Sequence, residues 1–448
     1  MNYEVDRQGV EIEIQIVDKE TTNRFSRSNN ILDRLRKISD CFHPDDGKYE
    51  FSSLPFAELS KLEEHLKHDF VPGMELLNKH LNPILMGCTP FYSDYASGHV
   101  HTSIKNMDND SWIELRRKLF NAQPLIALLS QNSPVCDNEK YGDYRLAKSN
   151  WAGFSDFEST NTGHWMSLAC GMNGTTLEVR IPSSAPLPQI LGIVTLIRVL
   201  LEEDSFIYQA ANVKQNWDNV IRYGSSSISD ICVPKGINYS GFDMKLIKVR
   251  TTDLWRVYFQ ENIDTFKRFL SLFSSKMSGE IFKFYNFISK GHTISDSIYE
   301  LIDKEKNENK LSDYLVDFSI KSSKKESMFN FLNEDPSSFM PVIERTISVD
   351  ELKEIIDKLE DHPFYNNLLK VKDYSFIIPE KRTNFEPVVI EVTKFIIDHG
   401  FTPLYVSYFK KELKQYLDSK IFDIKNERLY PGKEFNPFVQ VLTEIGII

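Results

Sequence analysis

Apolar residues fall on every second position of "GVEIEIQIVD": Val10, Ile12, Ile14 and Ile16 alternate with Glu11, Glu13 and Gln15. Period two is the spacing of a strand with one buried face, so this segment predicts a β-strand with two glutamates on the opposite face. The device recurs twice. "SGHVHTS" sets His99, His101 and Ser103 against Val100 and Thr102, and "GTTLEVRIPSS" sets Glu178 and Arg180 against Leu177, Val179 and Ile181. A fourth extended segment, "GKYEFSSLP", carries Glu50, and "NPILMGCTPF" reads as a buried strand.

Between the strands the period lengthens. "SKLEEHLKHDFVPGMELLNKHL", "SWIELRRKLFNAQPLIALLSQNSP" (interrupted at Pro124), "LPQILGIVTLIRVLLEED" and "FIYQAANVKQNWDNVIRYG" have helical spacing. The apolar run "PQILGIVTLIRVLL" is too short and too charged to span a bilayer, and reads as a buried helix. From about residue 240 Lys, Phe, Asp and Ser dominate and helical patterns continue. The charged stretches "IDKEKNENKLSDYL" and "KSSKKES" read as surface loops or linkers, and "YVSYFKKELKQYLDSKIFD" and "PFVQVLTEIGII" as terminal helices. The chain therefore divides into residues 1–235 of mixed strand and helix, a helical region 236–380 that is a candidate to complete that domain, and a small helical or winged-helix-like module 381–448.

Composition narrows the function. At 448 residues, 41% apolar and 12% aromatic, the chain can bury large cores. A net charge of −11 argues against a nucleic-acid partner held by bulk electrostatics. Five scattered cysteines with no CxxC pair argue against a disulfide framework and for a reducing cytoplasm, and no signal pattern follows Met1. No membrane partner is expected.

The outlying polar residues all sit on strands. An antiparallel sheet that aligned Glu11, Glu13, Glu50, His99, His101, Ser103, Glu178 and Arg180 would present a wall of carboxylates and imidazoles with one guanidinium. Such carboxylates repel one another unless cations neutralise them, and mostly oxygen donors suit Mg2+ or Mn2+. Glu178 and Arg180 can also serve simply as a same-face ion pair.

Five of these segments, "GVEIEIQIVD", "GHVHTSI", "NAQPLIALLSQNSPV" with "YGDYR", "TLEVRIPSS" and "NWDNVIRYG", occur in an order that resembles the glutamate–cysteine ligase family of the bacterial and plant type. The ExE, HxHxS and ExR strands are also similar to the active-site strands of glutamine synthetase. The resemblance covers roughly residues 8–225. It implies an α+β fold: an antiparallel-sheet catalytic domain of glutamine-synthetase-like type with helices on one side, followed by a mainly helical C-terminal region. It implies an ATP- and Mg2+-dependent (or Mn2+-dependent) ligase that joins a carboxylate to an amine through an acyl phosphate. Glu11, Glu13, Glu50, His99 and Glu178 would be metal ligands. His101, Ser103 and Glu11 would hold the nucleotide. Arg180 would hold the transferring phosphoryl group, with Glu178 and with Arg145 from "YGDYR", the latter on phosphate or a substrate carboxylate. The substrate would be a small amino acid or a peptide or protein, and a homodimer or larger assembly is expected.

The chain departs from the family after the ExR strand, where Pro182-Ser183-Ser184 stand in place of an acid, and only Glu50 is an obvious acid between the first two strands. These departures leave a second expectation: a non-ligating binding or regulatory protein on the same fold that keeps ATP or metal and binds a partner through its C-terminal half.

Overall fold

The computed structural model describes residues 3–332, apart from 26, 106–110, 137–138, 151, 157–164, 171–175, 203–211, 239–240 and 325, together with three short strands between 404 and 431; of 111–112 and 232–247 it describes the backbone alone. The architecture is α+β, an antiparallel sheet with helices.

Among the described residues, nine strands precede residue 180: β1 (Val5–Val17), β2 (Phe42–Asp45), β3 (Lys48–Ser52), β4 (Asn82–Ile84), β5 (Gly98–Ile104), β6 (Val135–Cys136), β7 (Glu139–Lys140), β8 (Leu168–Cys170) and β9 (Leu177–Val179). β6 and β7 pair with each other. The others form one sheet in the order β2-β3-β1-β5-β9-β8, with β4 also on β1. Long, strongly alternating β1 is its centre, flanked by β3 and β5. β2 and β3 are joined by a two-residue turn in which Asp46 and Gly47 both take positive φ, 29° and 83°. That geometry matches the twist of a hairpin and favours an Asp-Gly pair.

The even-numbered residues of β1 face the core: Val10, Ile12, Ile14 and Ile16 are buried. The helix Leu187–Glu202 lies on this face, where Gln8 Nε2 donates to Val194 O and to Thr102 Oγ1, both at 3.3 Å. That helix, expected to be buried from its apolar run, is enclosed along almost its whole length. On it packs the helix Ser275–Ser289, whose Tyr285 hydroxyl donates to Gly192 O at 2.5 Å. Trp255, Phe259 and Phe266 surround the Tyr285 ring with centroids 5.1–5.2 Å away. The opposite face of β1 carries Glu11 and Glu13.

Several elements differ from the reading of the pattern. The charged stretch after residue 301 is not a loop: it completes the helix Ile294–Lys304 and begins the helix Glu308–Lys324. Leu311, Leu315, Val316 and Phe318 supply a buried stripe that the surrounding lysines obscure, and Ser312 and Ser319 satisfy Asn82 and the Leu85 amide beneath it. The expected helical region 236–380 opens with a strand, Gly241–Arg250, paired with Ile228–Asn238. The expected helix over "SWIELRRKLFNAQPLIALLSQ" breaks where Pro124 predicts, in a 3-10 turn at Phe120–Ala122. Of "FIYQAANVKQ", the part before residue 212 lies outside the described residues, and a helix runs Val213–Tyr223.

The chain resolves into two compact units. The first comprises residues 1–231 and 248–340, the second 232–247 and 341–448. In the second, Leu404–Tyr405, Arg428–Pro431 and Phe422–Lys425 form a three-stranded antiparallel sheet in that order. Tyr405 and Phe422, expected in one helix, are in strands. The expected helix over "PFVQVLTEIGII" lies outside the described residues. Among the described residues no helix is long and apolar enough to cross a membrane.

Candidate functional site

Strand register assembles the polar face. Glu11 lies opposite His99 on one side and Ser52 on the other. Glu13 lies opposite Glu50, and His101 opposite Glu178. Four strands thus bring onto one surface residues that are up to 167 positions apart in the chain, from Glu11 to Glu178.

Two groups result. In the first, ligating atoms of Glu11, His99, His101 and Glu178 all lie within 4.8 Å of one another. His99 Nδ1 donates to Glu11 Oε2 at 3.1 Å and is also 3.1 Å from Glu178 Oε1. His101 Nε2 is 3.2 Å from Glu11 Oε1, and its Nδ1 is 3.4 Å from Thr176 Oγ1. Arg180 Nη1 donates to the same Glu178 oxygen. His99 and Glu178 are buried, with 5% and 3% exposure, while Glu11 and His101 are half-buried.

The environment fixes the charges. Burial alone would raise the Glu11 carboxyl, but the hydrogen bonds and charges of His101 and His99 outweigh it and hold it well below the usual range. Burial likewise acts to raise Glu178, and His99 and Arg180 bring it down to about 2. Burial acts to lower His99, yet Glu11 and Glu178 raise it.

In the second group, Glu13, Asp45 and Glu50 also bring ligating atoms within 4.8 Å of one another. Asp45 was missed in the sequence; it enters because the Asp46–Gly47 turn folds β2 back beside β3. The segment between the first two strands therefore supplies two acids rather than Glu50 alone. Lys48 enters with it, its Nζ 3.0 Å from Glu13 Oε2. Glu13 Oε1 accepts from Ser97 Oγ at 2.5 Å, and Glu50 Oε1 accepts from Ser52 Oγ at 2.9 Å. Burial and the Glu11 charge push Glu50 up to about 7, whereas Lys48 overcomes the burial of Glu13 and keeps it low.

The remaining expected site residues stand apart from these groups. Arg145 is 2% exposed, and its two terminal nitrogens donate to the main-chain oxygens of Ile181 and Arg180 at 2.9 and 2.8 Å. Its guanidinium is therefore engaged with the main chain just beyond β9. Ser103 Oγ lies 3.5 Å from Arg7 O, further along the strand from His101. Ser183 and Ser184, which stand where the family places an acid, turn inward: Ser183 Oγ donates to Asp143 Oδ2 at 3.2 Å and Ser184 Oγ to Glu13 O at 2.6 Å. Burial pushes Asp143 up to about 6.

The first group is suited to a divalent cation. Its two carboxylates and two imidazoles converge, with Glu11 and Glu178 on the Nδ1 side of the His99 ring; His99 Nε2, on the other side of the ring, is buried without a hydrogen-bond partner. Two carboxylates and two imidazoles suit Mn2+ or a similar ion at least as well as Mg2+. His101, expected on the nucleotide, belongs to this same donor set.

No family model matches the chain, and no curated protein matches it. Among solved structures, it is similar to glutamate–cysteine ligase from Francisella tularensis, solved in complex with AMP, at 12% identity and TM-score 0.46, covering 76% of this chain and 92% of that one. It is similar to the complex between the prokaryotic ubiquitin-like protein Pup and its ligase PafA, at 13% identity and TM-score 0.45, covering 79% and 83%. A bifunctional glutathione synthetase from Pasteurella multocida is similar at 12% identity and TM-score 0.44, covering 98% of this chain and 70% of that one.

Proposed function

We propose that the polar sheet face binds ATP with a divalent cation, and that the protein is an ATP-dependent carboxylate–amine ligase of glutamine-synthetase-like fold. The observation that carries this reading is the cluster Glu11–His99–His101–Glu178, whose ligating atoms converge within 4.8 Å, with Arg180 clamped to Glu178. These four donors would hold the cation, Mg2+ or Mn2+, which when bound neutralises nucleotide phosphates so that a second anion can approach.

The chain's own groups have distinct parts. A substrate carboxylate oxygen attacks the γ-phosphorus of ATP, the bond to the β-bridging oxygen breaks, and ADP leaves. The amine then attacks the acyl phosphate carbon, inorganic phosphate departs, and the amine loses a proton to give the amide. Arg180 faces charge on the transferring phosphoryl group, for which a planar guanidinium is well suited. Glu178 sets the Arg180 orientation. Arg145 acts through the Arg180 carbonyl as a positioning residue. Ser103 extends the nucleotide side of the face. The substrate pair is a small amino acid or a peptide or protein end.

The test is to incubate the full chain with ATP, Mg2+ or Mn2+, and pools of carboxylates and amines, following ADP release and searching by mass spectrometry for products joined with loss of water. ADP release with a joined product, absent in Arg180→Met, is the expected result. Nucleotide binding without turnover against any pool would favour a binding or regulatory protein. No metal-dependent nucleotide binding would overturn both.

A further inference from the structure

Family resemblance expects metal at both carboxylate groups, yet the second is already occupied by an ammonium. Lys48 Nζ is 3.0 Å from Glu13 Oε2, donates to Tyr95 O at 2.5 Å, and lies 3.8 Å from Asp45 and 4.0 Å from Asp94. The lysine side chain is 9% exposed. Both Glu13 oxygens already have a donor, Oε2 from Lys48 and Oε1 from Ser97. A divalent ion on Glu13, Asp45 and Glu50 would need oxygens at about 2.0–2.6 Å. It would compete with the Lys48 ammonium for Glu13 Oε2 and sit beside a buried like charge.

We propose that Lys48 is the built-in cation of the Glu13–Asp45–Glu50 cluster, standing in for a metal ion, so that this sheet face takes one divalent cation rather than two. The count of one rests on the reading of the Glu11–His99–His101–Glu178 cluster as a metal site; the role of Lys48 does not. Local structure explains how the lysine gets there. The Asp46–Gly47 turn places Lys48 first on β3, and the loop ahead of β5 brings the Tyr95 carbonyl to its ammonium. The attraction of Glu13 and Asp94 more than offsets the burial that would otherwise favour the neutral amine, so Lys48 stays charged. A fixed ammonium neutralises carboxylates at any metal concentration. It makes Lys48 a positioning residue for Glu13 and lets the face do with a single exchangeable ion.

The test counts Mn2+ bound per full-length chain by electron paramagnetic resonance titration, with folding checked by circular dichroism. The wild type is expected to bind one ion, Lys48→Met two, and Lys48→Arg one. Should Lys48→Met fail to fold, Glu50→Gln in the wild-type background serves: the count is expected to hold at one. Two ions in the wild type, no gain in folded Lys48→Met, or a count lowered by Glu50→Gln would overturn the role of Lys48. Loss of the wild-type ion in Glu11→Gln places it at the first cluster. If Glu11→Gln retains that ion while Lys48→Met gains one, the reading of the first cluster fails and the role of Lys48 survives.

Discussion

Glu178 accepts from Arg180 and lies within ion-pair distance of His99 through the same oxygen, so one carboxylate orients both the candidate metal ligand and the candidate phosphoryl-binding arginine. Glu178→Gln keeps the shape and removes the charge; it is expected to lower ATP turnover by at least ~10²-fold, measured as initial ADP release, because a preorganised electrostatic contact is lost. Arg145→Lys should cost roughly 2–4 kcal/mol in denaturant unfolding, since one ammonium cannot serve two carbonyls in the fork that a guanidinium fits. Asp143 titrates in the opposite sense to a salt-bridged acid. Burial raises it to about 6 in the fold, so the folded state holds a proton that the unfolded chain has released. Its contribution therefore falls as pH rises from about 4 to about 6, by roughly 3 kcal/mol, and stays low above that. Unfolding of wild type and Asp143→Asn across this window is expected to show that decline in the wild type alone. These roles differ in legibility. Glu11, His99, Glu178 and Arg180 could be picked out because each is a polar residue on an alternating strand. Arg145 could not be told from a substrate-binding arginine, because its partners are main-chain oxygens 35 and 36 residues away.

At the scale of elements, the central strand explains why so much of the site could be read from pattern. β1 buries its even residues under the helix Leu187–Glu202 and leaves its odd glutamates on the other face, and period two admits no other register with a buried apolar side. β5 depends on one glycine for its place beside that helix. A Cβ at Gly98 would stand 2.9 Å from Ile190 Cδ1 and 3.0 Å from Ser183 O. Gly98→Ala is expected to cost about 1–3 kcal/mol by overpacking and to weaken metal binding by displacing His99, measured by urea unfolding and Mn2+ titration. The β2–β3 hairpin carried its signal in "DDGK", an Asp-Gly pair between extended segments, yet what it delivers is tertiary. Asp45 faces Glu13 only after β3 pairs with β1, and Lys48 reaches a carbonyl 47 residues on. The helix Glu308–Lys324 was hidden for a different reason: its buried stripe includes serines, whose burial is tolerable because Asn82 and the Leu85 amide satisfy them.

For the whole molecule, a cation that binds the folded state and not the unfolded chain adds to its stability. Mn2+ at about 100 times its Kd should stabilise the first unit by roughly 2.7 kcal/mol, visible as a rise in Tm that a chelator reverses and Glu11→Gln abolishes. The central claim is that this face is a joint metal and nucleotide site, and calorimetric titration of ATP into the full-length wild type and Glu178→Gln, each with Mg2+ and with chelator, tests it most directly. The account requires saturable ATP binding by the wild type that needs the metal and weakens at least ~10-fold in Glu178→Gln. Equal ATP binding with and without metal, or in both proteins, would contradict it.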